Sequence, residues 1–215
     1  MRLSNYCLIA VMKTFPKKQS GRPRGFDRDA ALDTAMRLFW RHGYDGVSFQ
    51  HLTTAIGVAA PSLYAAFGNK AELYREALNH YAEIRGASDL SFMDAATSLH
   101  QGVFLLLDGT AQGLLDPKGE MGCMLNTGMI GSHPDHADLV QELAQRRTAF
   151  RILLAKKLMN WVTEPQAERL SRFITAVMQG MAIQARDGYS LKDLQETVAV
   201  ALDAIPTTTL PLPSR

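Results

Sequence analysis

The side chains of this chain whose types could do chemistry gather in a few places. His133, Asp135, His136 and Asp138 bring imidazoles and carboxylates together within six residues, the ligand types of a divalent metal site. The same run is equally a helix start. Ser132 stands three residues before Asp135 around Pro134, and acids suit the positive end of a helix. That second reading assigns no metal. Arg22, Pro23 and Arg24, bounded by Gly21 and Gly25, form an extended arm able to lay two guanidinium groups along a narrow minor groove. Lys70 follows Asn69 at the start of a helix, where a cation opposes the helix dipole; it reads as facing phosphate rather than as a plain solvated lysine. Cys7 and Cys123 stand in different contexts and suggest neither a disulfide framework nor zinc spacing. Cys123 reads as a small buried hydrophobe. With no Gly-rich phosphate loop and no nucleophile elbow, an enzyme has little to stand on, and no cofactor is expected.

The stretch from Val47 to Glu72 must position these groups, and the rest of the chain is organised around it. Ser48 is placed to cap a short helix, and Val47 with Leu52 has the spacing of a hydrophobic staple. Leu52 and Ile56 share one face, and Gly57 supplies the positive φ at which the chain turns. Val58, Leu63 and Phe67 then repeat at helical spacing, so a second short helix packs back on the first. The remaining surface is small, polar or aromatic, which suits insertion into a DNA major groove. Ala59, Ala60 and Pro61 offer methyl and ring surface to thymine methyl groups, leaving Ser62 and Gln50 as hydrogen-bonding readers. Ahead of this pair, Asp27 and Gly43 bracket a helix over 28–42 with Leu32, Ala35, Met36, Phe39 and Trp40 as its apolar stripe. Behind it, Asn69 and Glu72 form a capping box that opens a helix running to Gly86.

With these residues in place, the chain resembles the tetracycline-repressor (TetR) family of bacterial transcriptional regulators. The resemblance runs from about Gly25 to Leu73. It rests on Phe39 to Tyr44, which ends His42-Gly43-Tyr44, on the Ile56-Gly57-Val58 turn, and on Leu63-Tyr64 followed by Phe67 and Lys70. Thr53 departs from the family's usual alanine, Ala59 from its Ser or Thr cap, and Ala65 from its polar or aromatic residue. The resemblance implies an all-α fold. An N-terminal three-helix helix-turn-helix DNA-binding domain, arm included, would cover 21–71, and a larger helical ligand-binding and dimerisation domain would cover 72–206. Tails are expected at 1–20, disordered and basic, and at 207–215. By their place in the family pattern, Tyr64, Ser48 and Lys70 should bind phosphate, Tyr64 through its hydroxyl.

The resemblance further implies a small-molecule pocket in the body. Phe104, Leu107, Met121, Met124, Trp161 and Phe173 supply more large apolar groups than a few helices need merely to close. The segment between Phe173 and Ile183 is apolar nearly all round, with small Ala176, Gly180 and Ala182 interspersed, so it packs on something besides its own core. In the family that partner is a second copy. Ala176, Gly180, Ile183 and Val198 are therefore expected at a homodimer interface, the dimer holding an inverted-repeat double-stranded DNA operator.

Beyond Leu90 only helical periods occur. Helices are expected over 92–115 and 134–161, with a short apolar segment over 124–130 between them. Thr163 and Gln166 form a capping box, with Pro165 in the first turn, that opens a helix to Arg186. Ser190 and Asp193 open the last helix, striped by Leu191, Leu194, Val198, Ala201 and Ile205. Residues 1–26 hold six of the 23 basic residues and no acid, leaving 17 basic against 21 acidic in the remainder. A basic arm on a mildly acidic body fits a polyanion held at one end. No uncharged apolar run reaches the roughly 18 residues of a spanning helix, so no membrane partner is expected. The apolar run at Tyr6 to Met12 lacks a cleavage site, and a cytoplasmic protein is the simplest reading; Met12 is a candidate start. The reading reached is a ligand-responsive repressor. Its first rival is a constitutive architectural DNA-binding protein without a ligand.

Overall fold

The computed structural model describes residues 26–87 and 89–207, and among them nine α-helices and two 3-10 turns account for all regular structure. The arm with Arg22 and Arg24, the tail at 1–20 and residues 208–215 lie outside the described residues. Helix α1 (Arg28–His42) starts where the Asp27 carboxylate accepts the amides of Asp29 and Ala30, and it ends at Gly43, φ 72°. Ser48 caps α2 (Phe49–Ile56) by accepting the His51 amide at 3.0 Å. Gly57 closes α2 in the left-handed conformation (φ 76°, ψ 31°), a backbone state glycine enters without steric cost. Helix α3 (Ala60–Phe67) then returns across it, with Leu52, Leu63 and Phe67 buried between them. The Asn69–Glu72 capping box opens α4 (Lys70–Ile84), which packs along α1.

The body departs from the expected helix limits at two starts. In place of one helix over 92–115 there is a 3-10 turn, Ser91–Ala95, and then α5 (Leu99–Leu114). Ser98 accepts the Gln101 amide, and the amide and hydroxyl of Thr97 both donate to Gln101 Oε1, so a fresh cap interrupts the apolar period. The segment over 134–161 likewise begins as a 3-10 turn, Pro134–His136, before α7 (Ala137–Leu158). His133 rather than Ser132 caps that turn, its Nδ1 accepting the Asp135 amide at 3.3 Å. Between them lies α6 (Met124–Thr127), a single turn in which the Asn126 amide donates to the sulfur of buried Cys123 at 3.4 Å. Helix α8 (Glu164–Arg186) opens where the Thr163 amide and hydroxyl donate to Gln166 Oε1 at 3.1 and 2.9 Å, and α9 (Leu191–Asp203) opens on a Ser190–Asp193 capping box.

One apolar core runs through both ends of the molecule. The joint between the helix-turn-helix and the body is polar at its edges. Trp40 of α1 is fully buried, and its indole N–H donates to the Gly122 carbonyl at 3.1 Å. The Arg186 guanidinium of α8 donates to the Trp40 carbonyl, and Arg85 lies over the indole ring. Segment 116–122 wraps this tryptophan. Arg37 donates to the Lys118 carbonyl at 3.0 Å, and Arg41 pairs with Glu120 at 2.7 Å. On the other flank, Arg75 of α4 binds Asp138 (2.8 Å) and Glu142 (2.9 Å) of α7, while Asp45 faces His136 at 3.3 Å.

Candidate nucleic-acid interface

Two short helices can present a surface to DNA only if their inner faces are fixed, and here Leu52, Leu63 and Phe67 fix them. The outer face of α3 is a row of exposed residues, Ala59, Ala60, Pro61, Ser62, Tyr64 and Ala65. Ala59 makes no side-chain cap, and Pro61 sits in the first turn, so the start of α3 presents little but methyl and ring surface. Ser48 is exposed beside it at the start of α2. Tyr64 does not stand free. Its ring lies parallel to that of Phe49, the first residue of α2, with centroids 3.9 Å apart and planes 14° from parallel. Gln50 belongs to a different surface. It lines an open groove of about 570 Å³ between α1 and α2, with Leu38, His42, Val47, His51 and Thr54, and no α3 residue reaches that groove.

Lys70 has a seat that its position in the sequence did not reveal. Its ammonium nitrogen sits 4.1 Å from the centre of the Tyr44 ring, where the ring's negative face attracts a cation. Burial lowers the Lys70 pKa from its usual value, with Asp45 acting in the opposite direction. Tyr44 in turn meets Tyr74 and His136 edge-on, at 5.0 and 4.8 Å between centroids. The ring thus ties the first turn of α4 to the body.

The six side chains expected to enclose an effector differ in burial. Leu107, Met124 and Trp161 are buried, whereas Phe104, Met121 and Phe173 are 45%, 55% and 38% exposed. A helix that is apolar all round carries no phase in its sequence, so facing could not be read there. Phe173 belongs instead to an outward stripe on α8 with Ala176, Gly180 and Ile183, all exposed in the single chain. Val198, expected on that interface, is 2% exposed and turned into its own core; Val200 of α9, at 70%, is the exposed valine there. His133, Asp135, His136 and Asp138 are dispersed into ion pairs and caps, and no group of three or more His, Cys, Asp or Glu among the described residues is arranged to hold a metal. Sequence reasoning also missed Phe49 and Tyr44 as aromatic seats. The only signal for them was a bulky ring at each end of the α1–α2 turn.

Comparison with known proteins agrees with this geometry. Residues 31–77, from α1 into α4, match the family model described as bacterial regulatory proteins, tetR family. The HTH-type transcriptional repressor ComR of Escherichia coli (strain K12) is 32% identical over 197 residues, covering 86% of this chain and 92% of that protein. The HTH-type transcriptional repressor BdcR of the same strain is 33% identical over 196 residues, covering 89% and 96%. Among solved structures, a cysteine mutant of the TetR family transcriptional regulator CifR, complexed with 26bp double-strand operator DNA, superposes with a TM-score of 0.80 at 34% identity. The match covers 86% of this chain and all of that one. Identity at this level along nearly the whole of both chains, on one helical frame, means that the chain belongs to the TetR family and is a transcriptional regulator, not an enzyme.

Proposed function

We propose that the chain is a cytoplasmic homodimeric repressor that holds an inverted-repeat double-stranded operator and releases it when a small hydrophobic effector enters the helical body. The observation that carries the reading is the α3 row from Ala59 to Tyr64, exposed on a seat of buried Leu52, Leu63 and Phe67. Support comes from ComR and BdcR, both named repressors, and from the operator complex of CifR. Ser62 and the Ala59–Pro61 surface read bases, while Ser48, Tyr64 and Lys70 hold phosphates, with Arg22 and Arg24 in the neighbouring minor groove. The domain division follows this reading, with 21–71 on DNA and 72–206 on effector and partner. Exposed Ala176, Gly180 and Ile183 on α8, joined by Phe173, pair with the same stripe of a second copy. No helix among the described residues is long and apolar enough to cross a membrane.

The competing reading, a constitutive DNA-binding protein without an effector, is favoured by one observation: Leu107, Met124 and Trp161 are closed into the core. Fluorescence anisotropy decides. A duplex is selected by the full chain from a random pool of about 30 base pairs, long enough for two half-sites roughly 34 Å apart. It is then titrated with protein in the presence of a panel of hydrophobic metabolites and drugs. Effector-dependent loss of affinity supports the repressor, and tight binding indifferent to the whole panel supports the rival. A chain that selects no duplex sinks both.

A further inference from the structure

We propose that Phe49 is the positioning residue that aims the hydroxyl of Tyr64 at the DNA backbone. The inference rests on the DNA-binding reading above and adds a residue to it. Tyr64 follows Leu63, which faces the core, so its side chain leaves α3 roughly 100° further round, on the side of the helix shared with Ala60 and Pro61. Half of the residue is exposed. Among the described residues its hydroxyl has no hydrogen-bond partner. An exposed tyrosine without a neighbour would spread over several staggered rotamers, and one rotamer would have to be selected each time DNA was bound. The Phe49 ring removes that freedom. It lies 3.9 Å from the Tyr64 ring and nearly parallel to it, covering one face and leaving the phenol tip as the free end.

Phe49 can do this because it is itself held. It is the first residue of α2, half-buried and packed against the core, directly after the Ser48 cap. Two short helices that meet at an angle are thereby linked at their outer edge as well as through Leu52 and Leu63. The hydroxyl is neutral, so its contribution differs from that of Lys70. Aiming it raises affinity without neutralising a phosphate charge, and losing it leaves the salt dependence unchanged.

The test is a double-mutant cycle on the selected duplex, with the full chain, read by anisotropy over a range of salt concentrations. Phe49→Leu is expected to weaken binding about two- to tenfold, the range to which a stacked aromatic pair converts, at an unchanged salt slope. In a Tyr64→Phe background, which keeps the ring and lacks the hydroxyl, Phe49→Leu is expected to cost nothing further. Phe49→Tyr keeps the stack and should bind like the wild type, with equal thermal stability as the folding control. An equal loss from Phe49→Leu in both backgrounds would overturn the aiming role, as would a Phe49→Tyr variant as weak as Phe49→Leu. Tyr64→Phe with full affinity would remove the hydroxyl contact itself. A wild-type chain that selects no duplex would instead sink the DNA-binding reading, so the two failures are distinct.

Discussion

The ammonium of Lys70 rests 4.1 Å from the centre of the Tyr44 ring, and the edge of that ring meets His136 of the body. A cation held on an aromatic face offsets part of its desolvation through the ring quadrupole, so the Lys70 ammonium is held in place by the Tyr44 ring at the start of α4. Replacing it with alanine should weaken binding to all sequences alike and reduce the salt slope by about one unit. Tyr44→Leu should keep the slope while lowering affinity, since the charge survives and only its seat is lost. Anisotropy at several salt concentrations reads both. A change of sequence preference in Lys70→Ala at constant slope would remove its phosphate role.

Apolar contacts to bases discriminate weakly, and the α3 row from Ala59 to Pro61 is apolar. On the proposed reading, residues 1–25 then add to specificity. Their deletion should cost most on duplexes with A·T-rich flanks, where the minor groove is narrow and attracts arginine. Equal losses on A·T- and G·C-rich flanks would mean that Arg22 and Arg24 act as unspecific charge.

Gly180 lies on the outer stripe of α8, and a Cβ built there meets nothing within 4 Å of its own chain. Leucine is also a better helix former than glycine by somewhat under 1 kcal/mol. A Gly180→Leu protomer should therefore fold at least as well as the wild type. Any loss must come from the partner, where overpacking costs about 1–3 kcal/mol. Analytical ultracentrifugation should find it shifted toward monomer with helicity retained. An unshifted dimer would move the interface elsewhere.

The two tryptophans should respond differently to shortening. The Trp40 N–H donates to the Gly122 carbonyl, whereas the Trp161 Nε1 is buried with no partner among the described residues. Trp40→Phe strands a buried carbonyl and should destabilise by about 1–3 kcal/mol. Trp161→Phe loses packing but no hydrogen bond, and removes a donor already unsatisfied. Urea unfolding with both variants checks the order, and equal stabilities would contradict it. The Trp161→Phe variant is then the better reporter, since its remaining indole sits where segment 116–122 meets α1. An effector that drives the protein off DNA should change Trp40 emission there. Thermodynamic linkage fixes the scale, since a coupling of about 1–3 kcal/mol lowers operator affinity roughly five- to 150-fold.

Local chemistry was legible in the sequence and distant facing was not. The caps at Asp27, Ser48, Asn69 and Ser190 are found where the spacing puts them, because a cap is decided by residues two to three apart. The same locality explains the misjudged starts. Gln101 turned back on Thr97 and split a helix whose apolar period was continuous. Phe49 meets Tyr64 only because α2 and α3 cross at a particular angle, and Gly122 meets Trp40 across 82 positions. Phe104 and Leu107 differ in exposure although both are large and apolar, since the neighbours that decide lie on other helices.

Helix α6 is one turn long, and its cap is a thiol sulfur 3.4 Å from the amide it accepts, a weak acceptor compared with the oxygens that open the long helices. So short a helix has no stability of its own, because nucleation costs more than one turn returns. Its order is lent by Arg147, which donates to the carbonyls of Leu125 and Gly128 at 3.0 and 3.3 Å. Amide hydrogens from Met124 to Thr127 should therefore exchange with solvent through local opening well before those of α7 and α8. Met124 is sealed in the resting core, and such an opening is what would expose it. On the proposed effector reading, the rate of entry would be set by how often this one helical turn breathes.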